Sequence, residues 1–171
     1  ALAKSLGKPV AQIVVSVLNR PRHLQLIADI RGAGAGTRLM SDGDVAGGIN
    51  AARHNAPTDM CIGIGGSPEC IVTACAIKAL GGHIQGRMAP GDDAERQRGI
   101  DAGLKMDYVY EADELVRGNN TIFVATGVTD GQLVSGVRRE GNWVYTESVV
   151  LRGASGTLRR VSSEHLLSKR N

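Results

Sequence analysis

Apolar, β-branched runs alternate with helical patterns through the first 119 residues, and this alternation constrains the fold more than any other feature of the sequence. Each of the three runs has the length of a strand and precedes a segment with helical spacing or helix-ending glycines. The runs cover 10–18, 37–40 and 60–64, and the helical patterns cover 23–34, 45–55, 68–82 and 92–103. This order predicts an α/β fold in which parallel strands form a doubly wound sheet.

The pattern changes at about residue 120, where strand-like runs follow one another without helices between them. Turns that contain glycine, Asp130-Gly131 among them, separate these runs, which is typical of antiparallel strands joined by hairpins. The runs cover 120–129, 132–140, 142–153 and 157–163. Since no linker or repeat divides the chain, we predict one α/β unit over 1–171, with βα repeats at 1–119 and an antiparallel meander at 120–171.

Cysteine content and hydropathy restrict the cellular setting. The three cysteines, Cys61, Cys70 and Cys75, form no spaced framework and no pair with zinc-binding spacing, which favours free thiols in a reducing compartment. No apolar run is long enough to cross a membrane, and the start of the chain does not resemble a signal peptide. We therefore expect a cytoplasmic protein with no membrane partner.

Positive charge is concentrated near the C-terminus. Up to residue 137 the chain carries 13 Lys and Arg against 14 Asp and Glu, and from residue 138 onward it carries 7 against 3. A basic strand region could bind nucleic acid through four arginines. These are Arg138, Arg139, Arg159 and Arg160. Aromatic residues make up only 3% of the chain, so few side chains could stack on bases, and we predict a solvated, arginine-bearing sheet with no nucleic-acid partner.

Three polar loops follow the three predicted parallel strands. Their sequences are "NRPRH" at 19–23, "SDGD" at 41–44 and "GGSPE" at 65–69. Ligands bind to such sheets beyond the carboxyl ends of the strands, where successive loops meet. We therefore predict that the three loops face one crevice and form a single site.

The first loop is suited to a phosphate group. Arg20 and Arg22 flank Pro21, whose fixed φ stiffens the loop, and guanidinium groups form bidentate, charge-assisted hydrogen bonds with phosphate oxygens. Two ordinary surface arginines would give the same pattern. His23 follows as a lone histidine and is expected to be a helix cap or a surface residue.

The second and third loops place acids at predicted helix starts. Asp42 and Asp44 could cap the helix, bind sugar hydroxyls or ligate a metal ion, and the residues alone leave these roles open. Gly65 and Gly66 form a turn whose N–H groups could bind an anion. Glu69 follows in the first helical turn, where it could complement the helix dipole or hold a metal ion in front of a phosphate.

Six motifs together resemble those of the class II, GlpX-type fructose-1,6-bisphosphatases. In chain order they are "RPRH", "SDGDVAGGI", "GIGGSPE", "GGHIQGRMAP", "ATGVTDGQLVSGV" and "TESVVLRGASGTLRRV". The resemblance implies the layered α/β sandwich of the metal-dependent, lithium-sensitive sugar phosphatases. It also implies hydrolysis of the 1-phosphate of fructose 1,6-bisphosphate with Mn²⁺ or Mg²⁺, a step of gluconeogenesis.

The same resemblance implies a role for each of the three loops. The substrate-binding residues would be Arg20, Pro21, Arg22, Asp42, Gly43, Asp44 and Gly66, and the metal ligand would be Glu69. The arginine loop would contact the phosphate that does not react, and the acidic turn would bind the sugar hydroxyls. The second glycine of the third loop would offer a backbone contact to the substrate.

Members of this family are about twice as long as the chain, which resembles their C-terminal half. Their N-terminal half supplies most of the metal-binding carboxylates and the threonine that positions the attacking water. The catalytic residues are therefore expected upstream of Ala1, the expected partner is the missing N-terminal half, and the expected assembly is a homo-oligomer. The alternative is an α/β module that binds a nucleotide or sugar phosphate without catalysis.

Overall fold

The computed structural model describes residues 1–169 and contains an alternation of strands and helices in the first part of the chain, as the sequence predicts. Arg170 and Asn171, which end the predicted 120–171 part, lie outside the described residues. The helices are α1 (Leu2–Ser5), α2 (Leu24–Gly32), α3 (Asp44–Ala51), α4 (Ser67–Ala79), α5 (Asp93–Asp101) and α6 (Ala112–Leu115). The strands are β1 (Val14–Leu18), β2 (Gly36–Met40), β3 (Met60–Cys61), β4 (Gln85–Arg87), β5 (Val109–Glu111), β6 (Ile122–Thr126), β7 (Arg138–Glu140), β8 (Trp143–Arg152) and β9 (Thr157–Leu166).

β1 is the central strand of a parallel sheet with the order β2-β1-β3, which confirms the predicted parallel arrangement. It is buried from its second residue to its last, as expected for a strand that is covered on both faces. β3 is shorter than the predicted run 60–64, because only Met60 and Cys61 pair with β1. The N–H of Ile64 bonds to His23 instead of to a strand, so the chain leaves the sheet early.

Helices cover both faces of this sheet. On one face, α2 packs against β1 in a cluster of isoleucine and valine side chains. On the other face, α3 approaches the sheet closely at Gly47, where an added Cβ would lie 2.7 Å from Cε of Met40. α4 lies beside α3, and Gly48 leaves the space that Thr73 occupies. The sheet is therefore wound on both sides, and its strand ends are free to carry loops.

β8 is the central strand of an antiparallel sheet. β9 lies on one side of it, and β6 and β7 lie one after the other along its other side. β9 pairs with β8 along its whole length, whereas β6 and β7 pair with its two ends. From Thr126 to Arg138 the chain advances twelve residues while β8 advances three, from Ser148 to Tyr145. Nine residues therefore loop out of the edge.

The loop between β6 and β7 differs from the predicted meander in two respects. β6 and β7 pair with β8 rather than with each other, and the predicted strand 132–140 is reduced to the three residues of β7. The apolar pattern predicted a strand here because it includes Leu133, whose side chain is buried in the core although the residue lies in a loop. Asp130 and Gly131 do turn the chain, but within the loop, where the N–H of Gly131 donates to the carbonyl of Val134 over 3.1 Å.

The antiparallel sheet packs one face against α3 and α4. The shared core contains Ile49, Ala76, Ala79, Phe123, Leu133, Val149 and Leu151. The opposite face, which we call the outer face, carries Ile122, Val124 and Val161, whose side chains are 64, 59 and 43% exposed. The layers therefore follow the order helix, parallel sheet, helix, antiparallel sheet, and the last layer presents apolar side chains to solvent.

β4 and β5 form a separate antiparallel pair that is absent from the sequence-based prediction. Each strand has three residues, which is too short for a period of two to stand out. Arg87 is the last residue of β4. None of the helices between residues 1 and 169 is long and apolar enough to cross a membrane.

Candidate functional site

The loops that follow β1, β2 and β3 lie at one edge of the parallel sheet. The N–H of Asn19, after β1, donates to the carbonyl of Met40 at the end of β2 over 2.8 Å. The N–H of Ile62, after β3, donates to the carbonyl of Ser16 in β1 over 3.0 Å. Because these bonds join neighbouring strand ends, the three loops predicted to form the site lie side by side.

Residues 63–66, which we call the glycine loop, are held by the residues that follow β1. The Nε atom of Arg22 donates to the carbonyl of Ile64 over 2.9 Å. The N–H of Ile64 donates to Nε2 of His23 over 2.8 Å, and Nδ1 of the same ring lies 2.8 Å from the carbonyl of Leu18. Two adjacent side chains of the first loop thus bind both backbone polar groups of one residue in the third.

The glycine loop also contacts acidic side chains from the second loop and from α4. A Cβ built on Gly65 would lie 3.0 Å from Oδ2 of Asp44. A Cβ built on Gly66 would overlap the carboxylate of Glu69. A larger residue at either position would displace the carboxylate that lies against the backbone.

The turn before α3 is shaped by Gly43, the N-cap residue, whose φ of +82° lies in the left-handed region that favours glycine. Oδ1 of Asp42 accepts the N–H of Gly43 over 2.8 Å, and Oδ1 of Asp44 accepts the N–H of Val45 over 2.9 Å. Neither aspartate caps the helix, so the capping role considered from the sequence is wrong for both. Oδ2 of Asp44 is the oxygen that lies beside the glycine loop.

The charge of Asp44 also acts on Cys61, the last residue of β3. Burial raises the pKa of the Cys61 thiol, and the nearby negative charge of Asp44 adds to this effect, so that the pKa reaches about 11. A thiol with such a pKa is neutral near pH 7 and is a poor nucleophile. The chemistry of this edge therefore depends on its carboxylates and guanidinium groups rather than on the cysteine.

Four of the residues predicted from the sequence meet at the glycine loop, and they are Arg22, Asp44, Gly66 and Glu69. Arg20 and Asp42 lie in the same loops, but their side-chain hydrogen bonds are local, to the carbonyl of Asn19 and to the N–H of Gly43. Pro21 begins the 3₁₀ turn Pro21–His23 that leads into α2. The sheet edge therefore combines a guanidinium, two carboxylates and the backbone at the start of α4.

The residues of this edge do not by themselves complete a metal site. Between residues 1 and 169, no group of three or more His, Cys, Asp and Glu side chains is arranged to hold a metal ion. Glu69 is exposed and could supply one oxygen ligand, whereas a divalent ion needs several. A surface depression of about 300 Å³ lies away from this edge and is lined by residues such as Arg53 and Asp59. The candidate site is an open edge rather than an enclosed pocket.

The prediction for His23 is only partly confirmed. His23 occupies the N-cap position of α2, but its side chain makes no capping hydrogen bond, and it is completely buried rather than on the surface. Its partner Ile64 lies 41 residues away in the chain, so no local pattern predicts their hydrogen bond. The signal that could have suggested it is the position of a histidine directly after the arginine loop, at the edge where a glycine-rich loop also arrives.

Similarity to known proteins extends over nearly the whole chain. Residues 1–165 match the family described as bacterial fructose-1,6-bisphosphatase, glpX-encoded. The chain is 38% identical to the class 2 fructose-1,6-bisphosphatase of Haemophilus influenzae, over 97% of this chain and 54% of that protein. It is 36% identical to the fructose-1,6-bisphosphatase 1 class 2 of Escherichia coli K12, over 99% of this chain and 54% of that protein. The chain spans about half the length of the curated relatives it matches.

Proposed function

Because the chain belongs to the family of bacterial, glpX-encoded fructose-1,6-bisphosphatases, we propose that it takes part in the hydrolysis of the 1-phosphate of fructose 1,6-bisphosphate. In this reaction a water oxygen bonds to phosphorus, the bond between phosphorus and the C1 oxygen breaks, and that oxygen takes up a proton. The products are fructose 6-phosphate and inorganic phosphate. The observation that carries the proposal is the contact of Arg22, Asp44 and Glu69 with one glycine loop.

The arginine loop would bind the phosphate that does not react. The Nε atom of Arg22 is occupied by the carbonyl of Ile64, so the two terminal nitrogens remain for phosphate oxygens. Arg20 would add a second guanidinium from the same loop, which Pro21 stiffens. Holding this phosphate would fix the position of the reacting one, which is how binding energy is converted into orientation.

The acidic turn would bind the sugar hydroxyls. Asp42 and Asp44 each use Oδ1 for a backbone N–H, so each Oδ2 remains as an acceptor. Gly43 shapes this turn, and Gly66, the N-cap residue of α4, would offer a backbone contact to the substrate. Removing one carboxylate would leave a bound hydroxyl without its acceptor, at a cost of about 1–3 kcal/mol.

Glu69 would be one ligand of the Mn²⁺ or Mg²⁺ that the reaction requires. Residues 1–169 contain no cluster of three ligating side chains, so the remaining ligands would come from another segment. We therefore assign no step of the reaction to a metal held by this chain alone. The contribution of the chain is to bind the substrate and to hold one ligand at a fixed place beside Gly66.

A segment corresponding to the N-terminal half of the relatives would complete the enzyme. The chain aligns with 54% of each relative, which leaves room for such a segment. The outer face supports this proposal, because it exposes three apolar side chains, Ile122, Val124 and Val161, that a second segment would cover. Catalytic groups upstream of Ala1 would then meet the sheet edge described here.

The assembled protein would have the layered fold of the metal-dependent, lithium-sensitive sugar phosphatases. Support comes from the alternation of helix and sheet layers on both sides of α3 and α4. A role in gluconeogenesis and a homo-oligomeric state stay predictions from the family resemblance, and a cytoplasmic location stays a prediction from the cysteine content and the hydropathy.

A Glu69→Gln variant tests the proposal. The assay would measure release of inorganic phosphate from fructose 1,6-bisphosphate with Mn²⁺, using the chain assembled with its N-terminal half. We expect kcat to fall on the order of 10²-fold or more, because a charge-stabilising group is lost. Asp93→Asn is the matched control, since it removes an exposed acid from the first turn of α5 and should leave turnover unchanged. Both variants lose the same favourable interaction with a helix dipole.

Two other results would contradict the role of Glu69 or support a second candidate function. Normal metal-dependent turnover by Glu69→Gln would remove Glu69 from the metal site. The openness of the edge favours one second candidate, a module that binds a nucleotide or sugar phosphate without catalysis. Thermal stabilisation of the assembled wild-type protein by such a ligand, without phosphate release, would support that candidate.

A further inference from the structure

The buried imidazole of His23 connects two parts of the sheet edge. The ring is fully buried and is hydrogen-bonded at both nitrogens, to the carbonyl of Leu18 and to the N–H of Ile64. The glycine loop also lies against the ring, because a Cβ built on Gly63 would be 3.1 Å from Cε1 of His23. The side chain thus joins the last residue of β1 to the segment between β3 and α4.

The two partners determine which ring nitrogen carries the hydrogen. A backbone N–H can only donate, so Nε2 of His23 must be the acceptor and Nδ1 must carry the hydrogen that Leu18 accepts. The two bonds differ in importance. The carbonyl of Leu18 also accepts the N–H of Arg20 over 2.9 Å, whereas the N–H of Ile64 has His23 as its partner. Loss of Nε2 would therefore remove the protein partner of this backbone donor.

We propose that His23 is a positioning residue of the candidate site, whose neutral ring holds the glycine loop in place through the N–H of Ile64. Arg22 binds the carbonyl of the same residue, so the peptide groups on both sides of Ile64 are held. Gly66 and Glu69 follow within five residues of this point, and the carboxylate of Glu69 lies against Gly66. The ring therefore controls where the backbone contact and the acidic ligand are presented.

Two substitutions separate this role from simple packing. His23→Gln can place an amide oxygen near the position of Nε2 and accept the N–H of Ile64. His23→Asn can place an amide nitrogen near the position of Nδ1 and donate to Leu18, but it cannot reach Ile64. Both variants remove ring volume, so a packing role predicts similar effects for the two. His54→Gln and His54→Asn are the matched controls, because His54 is exposed in the segment after α3.

Amide hydrogen exchange and imidazole ¹⁵N NMR test the structural part on the chain itself. The wild-type spectrum should show a neutral ring with hydrogen on Nδ1. In His23→Asn, the protection of the Ile64 amide should fall about tenfold more than that of amides in β1, as expected for one lost hydrogen bond. His23→Gln should retain more of that protection. A ring with hydrogen on Nε2, or equal and global losses in both variants, would overturn the proposal.

The kinetic part rests on the proposed function and uses the assembled enzyme. Misplacement of the loop should lower kcat for fructose 1,6-bisphosphate roughly 10- to 100-fold in His23→Asn, with partial recovery in His23→Gln. KM should change less, because the arginine and aspartate loops remain. An unchanged kcat in His23→Asn would overturn the positioning role. If wild-type enzyme shows no bisphosphatase activity, the proposed function fails, and the exchange experiment still decides whether His23 holds the loop.

Discussion

At the scale of single residues, the site depends on how closely side chains approach the backbone of the glycine loop. Asp44 lies against Gly65, and Glu69 lies against Gly66, so both carboxylates are held within one short segment. A methyl group at either glycine would displace a carboxylate rather than fill empty space. The absence of a side chain at both glycines therefore allows the two carboxylates to lie against the loop.

The thiol of Cys61 reports on the same environment. With a pKa of about 11, on the order of one thiol in a thousand is ionised at pH 8, compared with roughly a quarter of an ordinary cysteine. We therefore expect iodoacetamide to modify Cys61 about two orders of magnitude more slowly in the folded chain than in the chain unfolded by urea. Peptide mass spectrometry after timed quenching measures the rate at this position.

An Asp44→Asn variant divides the effect on Cys61 into its two causes. Burial is the larger cause of the raised pKa, and the charge of Asp44 is the smaller one. The alkylation rate should therefore increase in the variant but remain below that of the unfolded chain. A folded wild-type chain that reacts as fast as the unfolded one would contradict the raised pKa.

Residue types at the site were predictable from sequence, whereas their contacts were not. Arg22, Asp44 and Glu69 could be placed at one edge because each follows a strand of a parallel sheet. The hydrogen bond between His23 and Ile64 could not be predicted, because it depends on where β3 ends. The sequence pattern continued β3 to residue 64, which would have paired Ile64 with a strand.

At the scale of elements, the loop between β6 and β7 is compact rather than a disordered insertion. Leu133 is buried in the core, and the carboxylate of Glu147 accepts the N–H of Ser135 over 2.6 Å. Arg160 donates to the carbonyl of Leu133 over 2.8 Å. These contacts fix the loop to β8 and β9, so the loop should unfold together with the rest of the chain.

The close backbone approach in this loop gives a test of its order. A Cβ built on Gly136 would lie 2.6 Å from the carbonyl carbon of Thr129, and both atoms belong to a packed segment. Gly136→Ala should therefore lower the free energy of unfolding by about 1–3 kcal/mol. Urea unfolding followed by circular dichroism measures the change.

Gly32→Ala serves as the matched control for this substitution. Gly32 is the last residue of α2, and a Cβ there would have nothing within 4 Å. The substitution should raise the free energy of unfolding by about 0.4–1 kcal/mol, because alanine reduces the entropy of the unfolded chain. Equal effects of the two substitutions would show that the loop is not packed as described.

Glu147 should make the loop sensitive to acid. The N–H of Ser135 holds the pKa of this carboxyl below its usual value, and Arg160 contributes further. A lowered folded-state pKa stabilises the fold above the unfolded pKa of about 4.3, and this stabilisation is lost as the pH falls through the folded pKa. Glu147→Gln should therefore be less stable than wild type at pH 7, and the difference should shrink below pH ~4.

The free energy of unfolding at several pH values measures this linkage. Glu164→Gln, which removes an exposed carboxylate from β9, is the control. A stability difference between wild type and Glu147→Gln that stays constant from neutral to acid pH would contradict the proposed role of the ionised carboxylate.

Short elements account for most of what the sequence failed to predict. β4, β5 and β7 have three residues each, and strands this short are stable only with a partner strand and packing against the rest of the molecule. The longer elements, such as α4 and β8, follow the predicted positions within a few residues, because their patterns span several turns or alternations. Length therefore separates the predictable elements from the others.

At the scale of the whole molecule, the two faces of the antiparallel sheet are unequal. Phe123, Val149 and Leu151 on the inner face are buried against α3 and α4. Ile122 and Val124 alternate with Phe123 along β6 and are largely exposed on the outer face. A sheet with apolar side chains on both faces is typical of strands that are covered on both sides.

Substitutions on the outer face should affect association, whereas a substitution on the inner face should affect the stability of the fold. Ile122→Thr combined with Val124→Thr should change the free energy of unfolding of this chain by about 0.5 kcal/mol or less, because both side chains are exposed. The same double variant should weaken the proposed association with a segment that corresponds to the N-terminal half of the relatives, measured by co-purification and titration. Phe123→Ala is the control on the inner face and should cost about 3–5 kcal/mol of stability. Undiminished association of the double variant would exclude the outer face as the contact.

The divided edge of β8 has a consequence for how the chain can be cut. Since β6 and β7 take their hydrogen bonds from different ends of the same neighbour, neither depends on the other for its register. Val128, near the base of the loop between them, is 80% exposed, and its carbonyl accepts the N–H of Val137. We expect a nick beside Val128 to leave each flanking strand paired with β8, so that the chain can be divided there into two complementing fragments.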